Sequence, residues 1–70
     1  MKKVVFNARP NPPGIAKAIF AVMSAEGWAL QDAQMATEPG VIAHLDEVTA
    51  EKLRKAIEDA AGDKVRIEDE

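Results

Sequence analysis

Trp28-Ala29-Leu30-Gln31-Asp32-Ala33-Gln34-Met35-Ala36-Thr37-Glu38-Pro39-Gly40-Val41-Ile42-Ala43-His44-Leu45-Asp46 is the stretch on which the fold of this chain turns. Its second part, Val41 to Leu45, is apolar except for His44 and reads as a strand. Its first part, Trp28 to Thr37, is rich in residues that favour helix, and propensity alone makes it helical. Turn chemistry argues the other way. No capping side chain precedes Trp28, and Glu38-Pro39-Gly40-Val41 sets Pro and Gly at the two central positions of a type II turn, which suits a link between two antiparallel strands. On that ground residues 28–37 are read as a strand, with helix as the alternative.

The flanks are easier. Lys2 to Ala8 alternates Val4, Phe6 and Ala8 against Lys3, Val5 and Asn7, the period of a strand with one apolar face. In Asn11-Pro12-Pro13-Gly14 the asparagine can cap a helix whose first turn Pro13 presets, and Ile15, Ala18, Ile19, Val22 and Met23 then recur at helical spacing until Gly27. On the other side, Thr49 suits an N-cap, Val48 and Leu53 suit a hydrophobic staple, and Leu53, Ala56, Ile57 and Ala60 make one stripe closed by Gly62. Val65 and Ile67 alternate with Lys64, Arg66 and Glu68 as a final strand, and residues 68–70 read as a frayed acidic tail. His44 is expected on the side of Ile42, opposite Val41, Ala43 and Leu45.

Seventy residues make one domain, 1–70, with a core close to the lower limit of self-sufficiency, so self-association is expected. Hydrophobic residues at 47% offset the ordering entropy that 30% charged residues alone would not, and the chain reads as folded. The absence of Cys excludes a disulfide framework, a thiolate metal site and a Cys nucleophile, and points to a cytoplasmic setting. A net charge of -3 without a basic stripe argues against nucleic acid, and no apolar run approaches the roughly 20 residues of a membrane span.

Read in this way, the order is strand, helix, two strands, helix, strand, and the joints resemble an ACT domain, the small ligand-binding module of amino-acid metabolism. Asn11-Pro12-Pro13-Gly14-Ile15 resembles the family's Asp-x-Pro-Gly-Ile loop, the next glycine falls thirteen residues after Gly14 at Gly27, and Trp28-Ala29-Leu30-Gln31-Asp32 resembles the Gly-Ile-Asn-Ile-x-Asp continuation. Asn11 stands where the family usually has Asp, and Ala29 where it often has Asn. The resemblance implies an α+β, ferredoxin-like βαββαβ two-layer sandwich whose four-stranded antiparallel sheet carries two helices on one face. It also implies a homo-oligomer that binds a small-molecule effector, an amino acid, and acts beside a separate enzyme subunit. A second resemblance is to the C-terminal domain of the bacterial ribosomal stalk protein, of order strand, helix, helix, strand, helix, strand. Gly27-Trp28-Ala29-Leu30-Gln31-Asp32-Ala33 is similar to its Gly-Leu-Gly-Leu-Lys-Glu-Ala, and implies a protein-interaction domain without a small-molecule ligand.

The expected ligand-binding residues on the first resemblance are Asn11, Pro13, Gly14 and Ile15, at a helix start whose free N–H groups suit a carboxylate, together with Ala29 and Leu30. No catalytic residue, metal site or cofactor is expected. His44 is the only histidine, Asp46-Glu47 and Glu58-Asp59 are adjacent carboxylates that point apart, and Ser24 has no base in the pattern. Phe20, beside the main helical stripe, is divided between core and subunit contact, whereas Trp28 reads as core.

Overall fold

The computed structural model describes every residue from Met1 to Glu70. Its elements are β1 (Lys2–Val5), α1 (Pro12–Met23), a short 3-10 turn (Ser24–Glu26), α2 (Leu30–Ala36), β2 (Val41–Leu45), α3 (Glu47–Ala61) and β3 (Arg66–Asp69). The class is α+β. The sheet has three strands in the order β2-β1-β3, with both pairings antiparallel. The expected ferredoxin-like βαββαβ order with four strands is therefore replaced by β-α-α-β-α-β, the order expected on the second resemblance.

The correction has a local cause at Trp28–Thr37. Gly27 takes a left-handed φ of 87°, which lets the Trp28 N–H turn back and donate to the Met23 carbonyl at 3.2 Å. Ala29 then starts α2 without a capping side chain of its own. Its N–H is met from inside the helix, by the Asp32 carboxylate at 2.7 Å, and its carbonyl accepts from Asp32 and Ala33. The backbone groups that an unpartnered helix start leaves open are thus satisfied by a residue three positions downstream. Gly40, with φ 70°, does adopt the left-handed turn expected of it, but it links α2 to β2, its N–H donating to Ala36.

Other elements follow their sequence closely. Asn11 caps α1, its Oδ1 accepting from the Gly14 N–H at 3.3 Å, and Gly62 ends α3 at φ 68° with its N–H on Glu58. α3 begins earlier than expected: Asp46 is the cap, accepting from the Thr49 N–H, so Thr49 lies inside the first turn. Val48 is consequently exposed instead of stapled. Midway along α3, Arg54 pairs with Glu51 and with Glu58 at 2.8 Å, and Glu58 in turn accepts the Val65 N–H at 3.1 Å, fastening the approach to β3.

The core lies between the sheet and the helices. Val4, Ile15, Ile19, Leu53 and Ile57 are wholly buried, and Phe6, Met23, Ala33, Ile42, Leu45, Ala50 and Val65 complete the cluster. Phe20 and Trp28 pack partly buried against it. Burying five such aliphatic side chains contributes about 1.5–3 kcal/mol each before ordering entropy is subtracted. A bulge in β2 opposite β1, between Lys2 and Val4, shifts the alternation: Ile42 and Leu45 both face the core, and exposed His44 takes φ 62°. His44 is thus not on the side of Ile42. Nor is 68–70 a free tail, since Glu68 and Asp69 belong to β3 and the Glu70 N–H donates to Met1.

Candidate functional site

α2 packs chiefly on α1, and of its seven residues only Ala33 is buried. Leu30, Gln31, Gln34 and Met35 stand outward on one stripe, at spacings of one, four and five residues from Leu30 that a helix brings together. Leu30 is 42% and Met35 64% exposed. The helix therefore forms a ridge with a hollow on each side.

On the α1 side, an open groove of about 300 Å³ is lined by Pro12, Pro13, Ala16, Lys17, Leu30, Gln34 and Thr37. Its walls are the first two turns of α1 and one flank of α2. On the other side, Trp28, Asp32, Met35 and Ala36 line a shallower depression. One cation, Lys17, marks the first flank, and one carboxylate, Asp32, marks the second. Lys17 enters no ion pair within the chain; the six ion pairs lie on α3 and the sheet.

Of the residues expected to bind a ligand, the groove unites Pro13 and Leu30. Asn11 is occupied in structure, its Oδ1 on the Gly14 N–H and its Nδ2 on the Ala60 carbonyl at 3.5 Å. Gly14 lies under that side chain, and a Cβ there would sit 2.1 Å from Asn11 Nδ2, so its small size accommodates the cap. Ile15 is wholly buried and belongs to the core. Ala29 is exposed at the start of α2. The other residues that line the groove, outside the expected set, are Pro12, Ala16 and Lys17, the last two three and four residues from Pro13 on α1, and Gln34 and Thr37, four and seven residues from Leu30, a spacing that brings them together only when 30–36 is a helix.

The titratable groups with shifted affinities are elsewhere. Asp46, Glu51, Glu58, Asp69 and Glu70 are held below the usual carboxylate range by donors from Thr49, Arg54, Val65, Lys2 and His44 respectively. These are fastenings of α3 and of the sheet. No three His, Asp or Glu side chains gather where a metal ion could sit, and no helix is long and apolar enough to cross a membrane. No family model matches the chain, and neither the curated proteins nor the solved structures contain a match to it.

Proposed function

We propose that this chain is a non-catalytic protein-interaction domain whose working surface is the α1–α2 face. The observation that carries the reading is the α2 ridge, an uncharged crest of Leu30, Gln31, Gln34 and Met35 left exposed on a chain with 30% charged residues. Interface centres are depleted of charge and enriched in Met and aromatic residues, and Trp28 stands at the foot of the ridge. The groove suits an apolar side chain better than a free amino acid. An α-amino acid carries both charges on one carbon, and the groove answers with Lys17 but with no carboxylate for the ammonium group.

A photo-reactive residue at Met35, with a control at Lys52 on α3, tests this in cells. Adducts to a defined protein from position 35 alone support the reading. Equal adducts from both positions contradict it, and so does displacement of the Gly14, Lys17 and Leu30 amide resonances by single amino acids, which would favour a small-molecule sensor.

A further inference from the structure

We infer that the α2 ridge is a contact between two copies of this chain, related by a two-fold axis running along α2, with Lys17 of each copy set against Asp32 of the other. The inference rests on the interaction reading above and names a partner for the same face.

A symmetric contact requires a patch that complements itself. The crest meets that condition: Leu30, Gln31, Gln34 and Met35 bring no charge to the axis, and each Gln amide is both donor and acceptor. The flanks meet it through their opposite signs. Lys17 lies on the α1 side of the ridge beside Leu30 and Gln34, and Asp32 lies on the other side beside Trp28 and Met35. A two-fold along the helix exchanges the flanks, so the lysine side of one copy covers the aspartate side of the other, twice. A two-fold across the helix would set lysine flank against lysine flank.

Both charges are available for the pairing. Asp32 uses Oδ2 to hold the Ala29 N–H, leaving Oδ1 for an outside donor, and Lys17 has no partner within the chain. The molecule measures 26 × 25 × 18 Å, and one helix ridge covers only part of its broad face. The contact therefore falls in the small interface class, below about 1,200 Å² in total, and the dimer is weak and concentration-dependent.

Sedimentation equilibrium from micromolar to millimolar protein is the test. The average mass is expected to climb from 7.6 kDa toward twice that value. Lys17→Glu and Asp32→Lys should each weaken association roughly tenfold, and the double variant should recover it. Because Asp32→Lys also removes the Ala29 cap, Met35→Glu supplies an independent arm: it sets like charges across the axis from an already exposed position and should leave a folded monomer. A wild-type chain that stays monomeric throughout, or association indifferent to Lys17→Glu and Met35→Glu, overturns the inference. A monomer that still gives position-35 adducts to another protein overturns the self-contact alone, whereas a monomer with no adducts removes the interaction reading too.

Discussion

The Glu70 carboxylate reaches past the end of β1 to β2, where Oε1 accepts the His44 backbone N–H at 2.7 Å and Oε2 faces the imidazole Nδ1 at 3.1 Å. The His44 N–H is the main cause that holds Glu70 below its ordinary value of 4.5, with the imidazole adding to it and desolvation opposing both. A carboxylate whose affinity for protons is lowered by folding contributes stability that is complete above its ordinary value and fades as pH falls through the lower folded-state value. Glu70→Gln should therefore melt below the parent at neutral pH, and the gap should close in acid. Thermal melts of both proteins across the acid range check this.

His44 itself sits at φ 62°, where a side chain other than glycine costs about 1–2 kcal/mol. His44→Val, β-branched and without the imidazole, is expected to lower stability by about 1–2 kcal/mol, while His44→Gly, which relieves the backbone, should be close to neutral. Urea denaturation of the two variants gives the comparison directly.

Gly40 is constrained twice over. Its φ is 70°, and a Cβ would lie 2.5 Å from the Phe6 carbonyl oxygen, a backbone atom that cannot swing aside while the Phe6 N–H stays on the Gly40 carbonyl at 2.9 Å. Gly40→Ala is expected to cost about 1–3 kcal/mol, measured as a fall in the denaturation midpoint without a change of slope.

α2 should open before the rest of the molecule. It is short, carries one buried residue and packs mainly on α1, whereas α3 buries Ala50, Leu53 and Ile57. Hydrogen exchange should be fast for the α2 amides and slow for those of Leu53 and Ile57. Asp32→Ala should speed the α2 amides by loss of the bond to the Ala29 N–H, worth about 0.3–1.5 kcal/mol, with little effect on α3. Leu53→Ala, by contrast, should cost about 2–5 kcal/mol and lower protection throughout.

The first strand, the start of α1 and the end of α3 are legible because their signals are local. The Asn11 cap, the Gly27 and Gly62 left-handed terminators and the alternation of Val4 with Phe6 each depend on neighbours within a few positions. Residues 28–37 are not, for two reasons. The helix start is satisfied by Asp32 reaching backwards, so a search for a cap before Trp28 finds none, and Pro39-Gly40 suits a helix-to-strand turn as well as a hairpin. The Thr49 start was displaced because Asp46 is an equally good cap one turn earlier. The side on which His44 and Leu45 lie depends on a bulge against β1, a pairing the local sequence does not encode. The groove follows the same division: Pro13 and Leu30 belong to local motifs, whereas Lys17 and Gln34 join them only when two helices lie side by side.

Backbone chemical shifts of a labelled sample, recorded for the whole chain through a dilution series and read first at residues 28–37, show whether α2 is a helix and whether its ridge meets a second copy. Helical shifts from Leu30 to Ala36, with concentration-dependent movement confined to Lys17, Leu30, Gln31, Asp32, Gln34 and Met35, are the predicted result. Extended shifts over that segment, or movement centred on the sheet or on α3, would contradict it.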